Sequence, residues 1–170
     1  MQNLTNANIY LLEQAERLLQ DLADQDYTSK DGQLHGASVG QHLRHCLDHY
    51  LSFLGGYAKG AIDYDHRARA GDIECSTECA SKLVRELCEG LEKAAEMQAA
   101  EVVKVKMDCG GGDQAWYPST LGRELQFLAS HTIHHYAMIH SVCQRRGFPL
   151  EEGFGVAPST LAHRKLAKID

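Results

Sequence analysis

Four stretches of the chain carry apolar residues at three- and four-residue intervals, and each such stripe must be covered by another helix to leave water. The first runs from about Thr5 to Ala23, with Ile9, Leu12, Ala15, Leu19 and Leu22 on one side. The second opens at Ser38, a favourable N-cap after the turn-rich residues 29–37, and continues through Val39, Leu43, Cys46, Leu47, Tyr50 and Leu54 until Gly55 and Gly56 stop it. A polar link leads to the third, with Ala80, Leu83, Val84, Leu87, Leu91 and Ala94 in near-perfect spacing. The fourth begins at Ser119 or Thr120 and ends at Arg145, Arg146 and Gly147, with Pro149 beyond. Between the third and fourth, residues 101–108 alternate with period two, "GGGD" turns and "QAWYP" returns, which predicts a small β-hairpin. A loop and one short helix capped at Ser159 close the chain. With 170 residues, 44% of them apolar, one core suffices. The expected fold is all-α: a single up-and-down four-helix bundle domain over residues 1–170, its core about 5–146 and its extension 147–170.

Composition narrows the possible partners. The formal charge is −6 and no Lys/Arg block stands out, so the electrostatic footprint of a nucleic-acid surface is missing. The first twenty residues are amphipathic and lack a secretory pattern, and no segment approaches the ~20 apolar residues of a membrane span. A cytoplasmic protein that binds neither nucleic acid nor membrane is expected. Its six cysteines, Cys46, Cys75, Cys79, Cys88, Cys109 and Cys143, then read as free thiols, with Cys46 and Cys143 as small core residues. Cys75 and Cys79 stand one turn apart near the start of the third helix, but the C-x-x-x-C spacing is far less specific than C-x-x-C. "DCGGGD" lacks the lysine, hydroxyl and helix start of a phosphate loop and reads as the hairpin turn, with Trp116 and Tyr117 as rim or dimer-contact aromatics.

The fourth helix holds the most unusual stretch, "ASHTIHHYAMIH", with four of the ten histidines. On a helical wheel, Leu121, Leu125, Leu128, Met138, Ile139, Val142 and Cys143 form the apolar face, and His131 and His135 fall on it. His134 and His140 lie to the side and are expected to face solvent. An i, i+4 histidine pair lets two imidazoles reach one ion at about 2.0–2.1 Å. The same pair also serves as core histidines bonded to carbonyls or to Glu124, which points inward in the same column. A third ligand decides between the two readings. The second helix offers His42, His45 and His49 on one side, and the wheel places His42 and His49 nearer the core than His45, leaving the choice open.

"SVGQHLRHCLDH" resembles the second-helix signature of the DinB/YfiT-like superfamily, in which a metal-binding histidine is followed three residues later by an aspartate, here His45 and Asp48. "HTIHH" resembles that family's H-x-x-x-H on the last bundle helix, here His131 and His135. The resemblance covers roughly residues 5–146. It implies a divalent ion, zinc or nickel, held by His45, His131 and His135, with His49 in reserve, and often a homodimer. Activities known in the superfamily include metal-dependent transfer of low-molecular-weight thiols. Three imidazoles leave open positions on a metal, the pattern of a catalytic rather than a structural site. Asp48 and Glu124 are then candidates to orient ligating histidines, and Glu124 is the one candidate catalytic proton acceptor. Tyr50 and Tyr136 read as core aromatics near the site. The expected function is that of a metal-dependent thiol S-transferase or hydrolase; the alternative is a non-catalytic, dimeric stress protein that binds a metal or ligand.

Overall fold

The computed structural model describes residues 1–34, 36–66, 71–112 and 115–166. Four long helices form where the stripes predict them: α1 (Gln2–Asp21), α3 (Val39–Gly56), α4 (Thr77–Ala94) and α5 (Leu121–Arg146), with a short α2 (Asp24–Thr28) after the first and α6 (Pro158–Leu166) near the end. Local chemistry fixes their starts. Ser38 and Gln41 close a reciprocal capping box on α3, each side chain bonding the other's backbone N–H at 3.1 Å. Thr120 Oγ1 accepts from the Arg123 N–H at the head of α5, and Gly147, in the left-handed region with φ of 75°, ends that helix.

The stripes meet in one core that takes Leu12, Ala15 and Leu19 from α1, Leu43, Leu47 and Phe53 from α3, Val84, Leu87 and Leu91 from α4, and Leu125, Leu128 and Ile139 from α5. Helix α1 packs mainly on α4 and α5, and α3 likewise packs mainly on α4 and α5. The first two bundle helices therefore sit across the bundle's diagonal, and α5 has α1 on one side and α3 on the other. Buried polar groups bridge the same helices. Thr132 Oγ1 donates to Tyr50 Oη (3.2 Å), Tyr50 donates to Asn8 Oδ1 (2.8 Å), and Asn8 Nδ2 donates to the Leu125 carbonyl (3.1 Å). Tyr136 donates to the Leu11 carbonyl. Both tyrosines are core residues, as expected.

The predicted hairpin is one part of a larger sheet. Strand β2 (Val102–Lys106) pairs antiparallel with β3 (Tyr117–Thr120), and β1 (Ala61–Asp63) adds to β2 in parallel, with Ile62 opposite Val105. Strand β1 comes from the stretch that reads as a polar link, because three residues with one buried side chain carry no period-two signal. Asp108 Oδ1 accepts from the Gly110 and Gly112 N–H groups in the turn, and Asp113 and Gln114 of the predicted turn and return lie outside the described residues. The sheet carries Tyr64 and Ser119 to the first turn of α5.

The C-terminal segment folds back on its own chain. Phe154 is buried and stacks on Tyr136 (centroids 4.6 Å apart, planes 5° apart), and Glu151 accepts from Arg17 Nε and Nη2, at 2.6 and 3.1 Å. His140, expected to face solvent, is half-buried beneath this loop and donates through Nδ1 to the Phe154 carbonyl (2.9 Å). Among the described residues no helix is long and apolar enough to cross a membrane.

Gly56 lets β1 approach the end of α3, since a Cβ there would fall on the Ala61 carbonyl oxygen and within 2.9 Å of Ile62 Cα. Gly55 has nothing within 4 Å of the corresponding point. Gly56→Ala is expected to destabilise the protein by about 1–3 kcal/mol through overpacking, and Gly55→Ala to stabilise it by up to about 1 kcal/mol through helix propensity, both read from urea unfolding midpoints.

Candidate metal centre

Helices α3 and α5 each present histidines to the other across their contact. Spacings of three and four residues put His42, His45 and His49 on one side of α3, and the four-residue spacing does the same for His131 and His135 on α5. One ring nitrogen from each of His45, His131 and His135 lies within 4.8 Å of the other two. The ring centroids are 4.9 Å apart for His45 and His131, 4.8 Å for His45 and His135, and 4.6 Å for His131 and His135. His131 Nε2 and His45 Nε2 are 3.0 Å apart, and His42 Nδ1 and His135 Nδ1 2.8 Å apart, so in each pair one ring donates N–H to the lone pair of the other.

The site is half-buried and flanked by aromatics. His49 is buried, 4.2 Å from His131 by ring centroids, and its Nδ1 donates to the His45 carbonyl (2.8 Å). That bond fixes the Nδ1–H tautomer and leaves the lone pair on Nε2. Tyr64 stacks on His49 at 5.6 Å, and Phe127 packs on His131 at 5.6 Å. No sequence periodicity marks Tyr64, which lies beyond β1 in the apparent link; its N–H reaches the Lys106 carbonyl at the end of β2. Phe127 sits one residue before the buried Leu128 and, being only partly covered, lies off the apolar face that the wheel defines.

Burial, followed by the fields of His131, His45, His42 and His134, pushes the His135 imidazole down to about 3. It is therefore neutral near pH 7, with its lone pair available. Three imidazole nitrogen donors on two helices suit a divalent ion, which competes with protons for their lone pairs.

The model of the DinB superfamily matches residues 11–139, a span that takes in α3, most of α5 and all three converging histidines. The chain belongs to the DinB superfamily. Among solved structures, the fold of this DinB chain is similar to YfiT from Bacillus subtilis, described as "a probable metal-dependent hydrolase with an unusual four-helix bundle topology", with a TM-score of 0.66, 14% identity, and coverage of 87% of this chain and 88% of that one. Over 106 residues it is 31% identical to FK506-binding protein 5 of Rhizopus delemar, a match that covers 61% of this chain and 28% of that relative's length.

In this DinB chain the two carboxylates expected to orient ligands bond other side chains. Asp48 is buried and takes Arg44 Nη1 at 2.6 Å, while Arg44 Nε reaches Glu74 at 2.8 Å, because the i, i+4 guanidinium outcompetes a neutral imidazole for the carboxylate. Glu124 is buried too and accepts from Tyr64 (2.9 Å) and from Ser119 Oγ. His134 is exposed, as expected. The described cysteines are free thiols, Cys46 and Cys143 buried in the core and Cys75, Cys79 and Cys109 exposed. Burial raises the Cys46 thiol and pushes Cys143 up to about 11.

A histidine held below its ordinary value of 6.5 makes stability fall with acidification, because the unfolded ring takes up a proton in a range where the folded ring does not. The metal-free protein is expected to lose stability as the pH drops from about 6.5 towards 3. Between pH 6.5 and 5, above the ordinary carboxylate range, the urea midpoint of His135→Gln should fall less steeply than that of the wild type. Parallel slopes would show that His135 carries no such penalty.

Proposed function

We propose that this DinB chain is a metal-dependent enzyme, a low-molecular-weight-thiol S-transferase or a hydrolase, whose divalent ion, zinc or nickel, is held by His45, His131 and His135. What supports this reading above all is the convergence of three imidazole nitrogens within 4.8 Å from two separate helices. The printed description of YfiT as a probable metal-dependent hydrolase points the same way. Bound with open positions, such an ion supplies Lewis acidity that lowers the pKa of a water or thiol towards neutrality.

The chain's own residues have definable parts. His45 and the His131/His135 pair are fixed by the packing of α3 on α5, so the donors are held in place before any ion arrives. His42 bonds His135 and holds its ring orientation, the part an outer partner plays in many metal sites. His49 is committed through Nδ1 to a carbonyl and stands in reserve through Nε2. Tyr64 and Phe127 shield one side of the cluster from water. A cytoplasmic location and a homodimer are part of the same proposal.

A second reading is favoured by one observation. The His45–His131 and His42–His135 contacts already satisfy ring nitrogens without an ion, as packed polar residues in a non-catalytic protein would. Elemental analysis of protein purified without a histidine tag separates the two. About one equivalent of a divalent metal per chain is expected, with loss in the His45→Ala/His131→Ala/His135→Ala triple variant and retention in His49→Ala. Free ion at a thousandfold excess over Kd should stabilise the fold by about 4 kcal/mol, seen as a Tm that falls with chelator and recovers with that ion. Metal content equal to that of the triple variant, with a Tm indifferent to chelator, would establish the packing reading.

A further inference from the structure

A cavity of about 300 Å³ lies between the sheet and the first turns of α5, and Glu124, Tyr64, Ser119, Arg123, Val105 and Phe127 are among the residues that line it. Its volume is at the small end of the range for ligand sites, suited to a metabolite rather than a polymer. Glu124 forms part of its lining, with only 5% of the residue exposed. Its oxygens accept from Tyr64 and Ser119, both neutral donors, and among the described residues no cation pairs with it. A carboxylate offers about four acceptor sites, so about two remain. A buried carboxylate without a counter-charge is costly, and a ligand cation would offset that cost.

The neighbouring residue complements it. Arg123 is exposed at the same cavity, and among the described residues its guanidinium has no hydrogen bond or ion pair. The planar fork of a guanidinium matches a carboxylate. One anionic and one cationic anchor lining the same cavity complement an ammonium and a carboxylate borne on a single carbon. Between them Val105 and Phe127 supply apolar wall.

The inner wall joins this cavity to the histidines. Tyr64 and Phe127, which line it, are also the rings that pack on His49 and His131. We propose that this cavity is a substrate subsite that holds the α-ammonium-carboxylate head of an amino-acid-like small molecule, with Glu124 on the ammonium and Arg123 on the carboxylate. The rest of that molecule extends towards the histidines, a placement that rests on the function proposed above, whereas recognition of the head does not. Glu124 is on this account a binding residue. A phosphate or dicarboxylate is disfavoured by its charge, and a simple amine leaves Arg123 unused.

The test uses three probes with one tail and no strong metal-binding side chain: L-norleucine, pentylamine, which lacks the carboxylate, and hexanoate, which lacks the ammonium. Binding is measured by NMR titration of the full chain in its chelator-treated, metal-free form, so the result is independent of whether the histidines hold an ion. Norleucine is expected to shift the amides around Ser119–Glu124 and Tyr64 and to bind about tenfold or more tightly than either analogue, the value of one charge-assisted hydrogen bond. Glu124→Gln should erase the advantage over hexanoate, and Arg123→Gln the advantage over pentylamine. Equal binding of the three probes, shifts confined to other surfaces, no binding, or an advantage that survives both substitutions would overturn the proposal and leave Glu124 a structural residue of the first turn of α5. Arg123 is exposed, so its variant keeps the test decisive even should Glu124→Gln fail to fold.

Discussion

The register of α3 against α5 decides whether the histidines of the two helices meet. Apolar stripes bring the two helices together, but a stripe alone tolerates sliding by a turn, and a slide of one turn would carry each imidazole about 5.4 Å past its partner. The buried hydrogen bond from Thr132 to Tyr50, extended through Asn8 to the Leu125 carbonyl, removes that freedom. Breaking it would leave buried polar atoms unsatisfied, at roughly 1–3 kcal/mol each. The lock sits where it has most effect. Tyr50 follows His49 and Thr132 follows His131, so the bond that sets the register lies beside the closest pair of rings in the cluster, whose centroids are 4.2 Å apart.

The electrostatics of the cluster favour a neutral His135. A carboxylate against these rings would raise their affinity for protons, and the nearby acids are kept occupied: Asp48 and Glu74 by Arg44, Glu124 by Tyr64 and Ser119. Burial first, and then the fields of His131, His45, His42 and His134, oppose protonation of His135. A site that rejects a proton near neutral pH yet offers several lone pairs is suited to a divalent cation.

Much of this was legible in the sequence, for identifiable reasons. Helix periodicity and caps depend on neighbouring residues, so the four long helices, the Ser38 and Thr120 starts and the Gly147 stop follow from local pattern. The i, i+4 pair on α5 was legible in the same way. The choice of His45 over its neighbours was not, because a wheel ranks residues by distance from the apolar stripe, whereas a ligand between two helices needs only to border it. The partners of Asp48 and Glu124 were illegible too. They depend on Arg44 outcompeting an imidazole and on Tyr64 arriving from β1, a strand too short to announce itself. The diagonal placement of α1 and α3 and the burial of Phe154 on Tyr136 are likewise tertiary facts that no local window contains.

On the proposed function, separate helices deliver three imidazoles to one ion. The most direct measurement is the zinc-edge X-ray absorption spectrum of the untagged protein loaded with one equivalent of zinc. Three imidazole nitrogens at about 2.0–2.1 Å, with light-atom donors completing the shell, are predicted. A sulfur scatterer at about 2.3 Å, or a shell without imidazole scattering, would place the ion elsewhere and contradict the account.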